Sequence, residues 1–267
     1  MPGAATSSEV LAQLPQGDPA RKLAVLHWQE VHLEEMVASA CYVSAGVEAD
    51  ANRNAAYVAR DAFEATLPDI MAEVSSLDGK NPAVRRIKRE IADKKDQWYR
   101  FRIFLETGLK AETPAPDKLS QLALLEEALV DGIEDVYKAV RRKAAKQGTI
   151  ALADSVIESA GFNRVFAANR LVKTTCLIMA GRGDTLDQQK LSGSLEKMER
   201  QLDIDESSLI TKPAVKELIP AWRAVMPRLR TALESGQKDA ELLAELRSLA
   251  AQWTNASGVP TNGLEQS

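Results

Sequence analysis

The residues able to carry chemistry are few in this sequence, and their spacing favours binding over catalysis. Cys41 and Cys176 each lie within an apolar helical run, where lone cysteines usually act as small hydrophobic side chains. The only histidines, His27 and His32, are five residues apart, so they do not share one helical face. A zinc site of the usual spacing needs more ligands than these residues offer. We therefore predict no metal site.

Motifs of catalysis are also missing from the sequence. It has no glycine-rich loop between a strand and a helix, no serine nucleophile elbow and no cysteine–histidine pair at a plausible spacing. The carboxylate pairs Glu34–Glu35 and Glu126–Glu127 are adjacent in sequence, so on a helix they would point in different directions. The sequence therefore predicts a protein that is not an enzyme and has no cofactor. An unusual helical active site is a less favoured alternative.

Composition favours an all-α chain without a nucleic-acid partner. Of the 267 residues, 45% are hydrophobic and only 5% are aromatic, and the common residue types are strong helix formers. The net charge is −4 with both signs interspersed, so no single-sign field would attract a polyanion. The basic stretches 85–89 and 141–143 are typical of solvated helix faces. No apolar run reaches the roughly 20 residues of a membrane span.

Helical periodicity extends over most of the chain. Residues 117–180 are predicted to form one very long helix or two helices joined near Gly148. Pro82 and Pro213 stand where a first-turn proline begins a helix. The ends, residues 1–18 and 256–267, are small and polar and are predicted to be flexible. The other predicted helices cover residues 19–45, 51–76, 83–107, 186–202, 214–235 and 240–253, and Gly46, Gly108, Gly181 and Gly236 are predicted to cap helix ends.

Three short anchors occur in the same order in both halves of the chain, which indicates an internal duplication. We predict a first helical repeat over residues 19–147 and a second over residues 148–255. Each repeat would contribute a four-helix bundle, and a long helix shared between them would join the two bundles. The anchors are residues 39–46 with 174–181, Ser75-Ser76-Leu77 and Pro82 with Ser207-Ser208-Leu209 and Pro213, and residues 105–108 with 233–236.

The two cysteines occupy matching places in the first anchor, so they are expected to be one core position in two copies. A disulfide between them requires the bundles to place them side by side. Equivalent positions in stacked repeats usually lie too far apart for such a bond. We therefore expect Cys41 and Cys176 to be unbonded core residues.

Residues 159–170, continuing to Gly181, resemble the PilJ-type domain, which is the N-terminal sensor domain of type IV pili methyl-accepting chemotaxis transducers. This family is related to the nitrate- and nitrite-sensing helical domains of bacterial receptors, and its first helix carries the signature Ala-Gly-Arg-Gln-Arg-Met-Leu-Ser-Gln. Ala160, Gly161 and Arg164 match the signature, whereas Phe162 and Asn163 replace its first Arg and Gln. The resemblance covers about residues 20 to 255. In the first copy the equivalent stretch, 27–32, lacks the arginine, although residues 40–41 and 45–47 fit the pattern.

The resemblance implies a bacterial extracytoplasmic sensor in which arginines between helices hold a small oxyanion. A guanidinium offers planar forked donors suited to such a ligand. Arg164 is the best candidate for this role, and Arg170, Asn163, Lys173 and Gln29 are weaker candidates. The alternative for Arg164 is a surface position, or an internal ion pair with Glu158 or another carboxylate.

Two functions follow as expectations. The first is a periplasmic sensor-like module that binds a small ligand, with an anion as one candidate, and acts through a separate signalling protein. The second is a ligand-free structural or adaptor protein that presents a helical face to a partner. A cytoplasmic location and a homodimer are further possibilities, and no signal peptide is visible at the start of the sequence.

Overall fold

The computed structural model describes residues 18–110, 116–146, 148, 161–181, 185–209, 211–235 and 238–257. The described part is all α-helical, with eight helices and no strand, which confirms the predicted fold class. The ends predicted to be flexible lie outside the described residues, apart from Asp18, Ala256 and Ser257. The helices are α1 Pro19–Ser44, α2 Ala49–Ser76, α3 Pro82–Lys110, α4 Pro116–Lys146, α5 Phe162–Met179, α6 Thr185–Ser207, α7 Pro213–Ser235 and α8 Ala240–Ser257.

Prolines and glycines mark several helix ends as predicted. α3 begins at Pro82 and α7 begins at Pro213. Gly46 and Gly181 follow α1 and α5 with φ angles of 72° and 99°, a left-handed conformation that glycine adopts without a steric penalty. The prediction for Gly108 was wrong, because α3 continues through it to Lys110. Gly236 lies outside the described residues.

The long helix expected to join the two bundles is not a single helix. α4 ends at Lys146, and Gly148 adopts a φ of 72° in a turn. A left-handed residue breaks the ladder of i to i−4 hydrogen bonds, so a helix does not continue through Gly148. The next described helix, α5, begins at Phe162, so a single helix over residues 117–180 is wrong. Residues 149–160 lie outside the described part of the chain, so two helices joined near Gly148 stays a prediction.

The helices form two sets of four that pair internally in the same way. In the first set α1 packs against α2 and α4, and α3 packs against α4. In the second set α5 packs against α6 and α8, and α7 packs against α8. The two sets meet mainly where α1 packs against α5. This common pairing is consistent with two bundles, and the duplication of one ancestral unit stays a prediction.

The α1–α5 contact is parallel and nearly in register. Trp28 packs on Phe162 with ring centroids 4.5 Å apart, and Val31 contacts Val165 one turn further along both helices. Near the C-terminal ends of these helices Cys41 and Cys176 form a disulfide, with Cα atoms 6.1 Å apart and a sequence separation of 135.

The expectation of unbonded cysteines was therefore wrong. It assumed stacked repeats, in which equivalent positions lie one repeat length apart. Here the two central helices lie side by side at the same height, so equivalent positions face each other across the contact. The Cα separation falls in the range that a disulfide spans.

Most of the apolar residues form one continuous core through both bundles. In the first bundle Trp98 stacks between Phe63 and Phe101, at centroid distances of 4.3 and 5.5 Å. In the second bundle Trp222 and Trp253 are fully buried and meet edge to face at 6.1 Å. Within the described residues, no helix combines the length and apolarity needed to cross a membrane.

Removing the disulfide by replacing Cys41 and Cys176 together with alanine should destabilise the protein. Because the bond closes a loop of 135 residues, its loss should cost about 3 to 5 kcal/mol of unfolding free energy by the loop-entropy argument. Urea denaturation of the variant and of the wild type, with and without reductant, would measure this difference. Equal stability in all four conditions would contradict a bond between these cysteines.

Candidate functional site

Arg164, the best sequence-derived ligand candidate, is held in an internal ion pair. Its Nε donates to Asp205 Oδ1 at 2.6 Å, and its Nη2 donates to Thr211 Oγ1 at 3.2 Å. Asp205 is fully buried and also accepts a hydrogen bond from Gln201 Nε2 at 2.9 Å. The guanidinium thus ties the start of α5 to the end of α6 and to the segment that follows it. This geometry matches the ion-pair alternative, with Asp205 as the carboxylate.

Lys173 and Arg170 converge on a different carboxylate, Glu34 of α1. Lys173 Nζ lies 2.5 Å from Glu34 Oε2 and 2.9 Å from Glu126 Oε2 of α4. Arg170 Nε lies 3.7 Å from Glu34 Oε1, and its guanidinium lies over the Phe166 ring. Glu34, Glu126 and Lys173 are buried, so this cluster is a sealed charge network that links α1, α4 and α5.

In the cluster the buried Lys173 lies between two buried carboxylates, and the partly exposed Arg170 lies further from Glu34. Burial raises the pKa of Glu126 to about 7, and the neighbouring Glu34 carboxylate adds to this rise while Lys173 opposes it. Burial works against the charge of Lys173, but the attraction of Glu126 and Glu34 raises its pKa overall. A proton retained on Glu126 therefore avoids a second carboxylate charge beside Glu34 in a region of low polarity.

The remaining two candidates lie elsewhere. Gln29 is buried and its Nε2 donates to Thr66 of α2, while its Oε1 has no hydrogen-bond partner within the described residues. Asn163 is exposed on the surface of α5. The structure therefore brings Arg170 and Lys173 together but leaves Arg164, Gln29 and Asn163 apart from them. Their role in ligand binding stays a prediction.

A cleft of about 450 Å³ opens between α1, α2, α5 and α8, and none of these five residues lines it. It lies beside the α1–α5 contact, so both bundles contribute to its walls. The apolar part of the wall includes Trp28, Val31, Val58 and Val165. Its volume falls within the range of small-molecule sites. We call it the junction cleft.

A fixed polar network forms one side of the junction cleft. Arg247 of α8 binds both carboxylate oxygens of Glu35 on α1, with the Nη1 to Oε2 distance at 2.9 Å. Its Nε donates to Asn52 Oδ1 at 2.7 Å, and its Nη2 donates to Ser39 Oγ at 3.0 Å. One arginine thus joins the second bundle to two helices of the first.

The electrostatics of this network keep its charges paired. Burial acts to raise the pKa of Glu35, but the charge and hydrogen bonds of Arg247 outweigh it and lower the pKa below the usual value. Burial likewise opposes the charge of Arg247, and Glu35 raises its pKa overall. The guanidinium is therefore permanently charged and is already matched by an internal carboxylate.

Among the side chains that line the cleft and are not exposed to solvent, Asn169 and His32 keep unused hydrogen-bonding capacity. Asn169 of α5 is only 4% exposed and lines the cleft. Its side chain forms no hydrogen bond to another described residue. His32 of α1 also lines the cleft and is likewise without a hydrogen-bond partner there. Burial lowers the pKa of His32 to about 4 despite the nearby Glu35 carboxylate, so its imidazole is neutral near pH 7.

The chemical groups of the junction cleft are mainly neutral. Its charged groups are Glu35, Glu48 and Arg247, and the first and last of these neutralise each other. No cluster of three metal-ligating side chains occurs among the described residues. The polar groups left for a ligand are neutral ones, principally an amide and an imidazole.

Sequence reasoning missed the residues of the junction cleft. The sequence around Asn169 offered one usable signal, because this polar residue follows Ala167-Ala168 and lies close to Leu171-Val172. A buried amide usually has a hydrogen-bond partner, so its position could have marked it as a candidate binding residue. Arg247 and Glu35 carried no comparable signal, because charged residues at helical spacing are common on solvated faces. Their meeting depends on how α8 packs beside α1.

Comparisons with known proteins add no relative. No protein-family model, curated protein or solved structure matches the chain.

Breaking the Arg247–Glu35 pair should be strongly destabilising. Arg247→Met would leave a buried carboxylate without its partner, which typically costs about 3 to 5 kcal/mol. The double variant with Glu35→Gln should recover part of this loss, because neither charge then remains. Urea denaturation of the two single variants and the double variant would give the coupling energy.

Arg228→Met is a matched control for that experiment, because Arg228 pairs with Glu245 between α7 and α8 at a largely exposed position. An exposed pair contributes about 0 to 1 kcal/mol. A loss at Arg247 no larger than the loss at Arg228 would show that the internal pair does not support the fold.

The Glu126 cluster should make stability fall as the pH rises. The folded pKa of about 7 lies above the usual 4.5, so the unfolded chain releases this proton first and the folded state loses stability between about pH 4.5 and 7. Glu126→Gln stays uncharged, so its melting temperature relative to the wild type should rise across this window. Thermal unfolding of both proteins from pH 4.5 to 8 would measure it.

Glu127→Gln provides the control, since Glu127 is the neighbouring residue on α4 and its half-exposed side chain pairs with Lys190. Its difference from the wild type should show no comparable rise over the same pH range. Parallel curves for Glu126→Gln and the wild type would contradict the retained proton.

Proposed function

We propose that this protein is a non-catalytic, sensor-like module that binds a small molecule in the junction cleft and acts through a separate protein partner. The observation that carries the proposal is Asn169, a buried amide that lines the cleft and has no partner among the described residues. A ligand that excluded water from this amide without bonding to it would incur a penalty of about 1 to 3 kcal/mol. A ligand in the cleft would supply the missing hydrogen bonds.

The position of the cleft supports a sensing role. Its walls come from α1 and α2 of the first bundle and from α5 and α8 of the second. A ligand held there would contact both bundles, so binding would favour one relative placement of the bundles over others. A partner that recognises a surface spanning both bundles could detect that change.

Two other cavities of the first bundle fit this role less well. One, of about 380 Å³, lies between α2, α3 and α4 and is lined mostly by apolar side chains. The other, of about 530 Å³, contains Glu73, but Lys22 and Lys143 already pair with this carboxylate. Neither cavity offers a polar group comparable to Asn169.

The disulfide supports an extracytoplasmic location within this proposal. The bond between Cys41 and Cys176 joins the two central helices, and both sulfur-bearing residues are fully buried. Disulfides persist in oxidising compartments such as the bacterial periplasm and are rare in the cytosol. The same location is expected from the resemblance to PilJ-type sensor domains.

An adaptor role is the second candidate. Tyr99 and Ile103 are one turn apart on α3, and both side chains are largely exposed. Exposed apolar groups at this spacing favour a helix face that docks on another protein. The internal pairing of Arg164 also agrees with a structural role for that residue. The predicted homodimer remains a prediction.

Blocking the junction cleft should abolish ligand binding if the first proposal is correct. A thermal-shift screen of amino acids, organic acids, oxyanions and uncharged heterocycles should give at least one compound that raises the melting temperature with concentration. At 100 times its Kd such a compound stabilises the folded state by about 2.7 kcal/mol. Ala55→Phe, which places a ring in the cleft, should remove the shift.

Ala65→Phe is the matched control, since Ala65 is exposed on the same helix and does not line the cleft. This variant should keep the shift of the wild type. A hit that survives Ala55→Phe, or a screen without any hit, would contradict binding in the junction cleft and favour the adaptor.

A further inference from the structure

We infer that the junction cleft selects an uncharged ligand with a hydrogen-bond donor beside an acceptor, as in a carboxamide or the lactam edge of a nitrogen heterocycle. This inference rests on the proposed function, because it names the ligand class of the same cleft. It also replaces the anion that the sequence suggested as one candidate.

The charges of the cleft argue against an anion. Its one arginine, Arg247, already donates to Glu35, Ser39 and Asn52. An anionic ligand would have to displace Glu35, whose carboxylate is held by two bonds from the same guanidinium. It would also face Glu48, which carries a second negative charge on the cleft wall. The internal carboxylate thus occupies the place that an oxyanion would take.

Among the described residues that line it, the cleft also lacks a buried, unpaired carboxylate that could bind a cationic ligand. Both oxygens of Glu35 bind Arg247, and Ser39 Oγ donates to one of them at 3.0 Å. Glu48 is exposed to solvent, where an ion pair contributes about 0 to 1 kcal/mol. The His32 imidazole is neutral near pH 7, as its lowered pKa requires. The available recognition is therefore between neutral groups.

The amide of Asn169 gives this recognition its geometry. A carboxamide presents a donor NH2 and an acceptor oxygen side by side, and it pairs with two bonds to any edge that offers the complementary acceptor and donor. His32, on the opposite helix of the α1–α5 pair, adds one donor and one acceptor nitrogen. Because both residues line the same cleft, a ligand held there has neutral donors and acceptors on both helices.

The apolar wall suits a flat ring. Trp28 lines the cleft together with Val31, Val58 and Val165. The indole contacts Phe162 and His32, with ring centroids 4.5 and 6.0 Å apart. A flat heterocycle packed on such a wall gains apolar burial while its polar edge reaches the amide.

Two matched pairs of probes test the ligand class. In the first pair, nicotinamide carries a carboxamide and nicotinate carries a carboxylate on the same ring. In the second pair, orotate is uracil with an added carboxylate. Titrations followed by calorimetry and by NMR of the full chain should show that at least one uncharged probe binds. Its charged partner should bind at least tenfold more weakly. Equal or tighter binding of the charged partners, or no binding of either uncharged probe, would overturn the inference.

Asn169→Leu tests the assigned residue. It removes the donor and the acceptor while keeping a similar size, and it should weaken binding of the uncharged probe about tenfold or more, as expected for two lost hydrogen bonds. The fold should survive, because an amide without a partner is replaced by an apolar side chain. Asn163→Leu is the matched control on the exposed face of α5 and should leave the affinity unchanged.

Full binding by Asn169→Leu would overturn the assignment. The outcome of the Ala55→Phe experiment separates this inference from the proposed function. A charged compound whose binding is blocked by Ala55→Phe would leave the junction cleft as a ligand site but refute the uncharged class. Binding of the probes that is insensitive to Ala55→Phe would refute both.

Discussion

The parallel packing of α1 against α5 is the constraint on which the rest of the structure depends. These two helices lie side by side at the same height, and the Cys41–Cys176 bond fixes that register near their C-terminal ends. Each helix is also the centre of its own bundle, because α1 packs against α2, α3 and α4, and α5 packs against α6 and α8. One contact therefore sets the placement of both bundles. A shift of one helix along the other would separate the cysteines and every charged pair that crosses the junction.

The two sides of the α1–α5 pair are filled differently. On one flank α4 approaches α5, and the Lys173, Glu34 and Glu126 cluster fills the space with buried charge. On the other flank α8 approaches α1, and the Arg247–Glu35 pair closes only part of the space. The remainder is the junction cleft. A single architecture thus yields a sealed ionic contact on one side and an open cleft on the other.

Asn169 shows why the site was hard to predict from sequence. Its helix was predicted, and its place within an apolar run was visible. Whether its amide would meet a partner depends on which side chains of α1, α2 and α8 lie opposite, and these come from residues far away in the chain. The same limit applies to Arg164. The sequence around this arginine does not show that the fold places Asp205 beside it.

The sequence by itself determined the helices and most of their ends, because hydrophobic periodicity, prolines and glycines act within a few residues of one another. It also indicated that the two cysteines hold equivalent positions. Only the tertiary structure decided that these positions touch, that the arginines are paired internally, and that the cleft lies at the junction. Those features depend on the relative height and spacing of packed helices, and periodic apolar faces allow several such arrangements with similar burial.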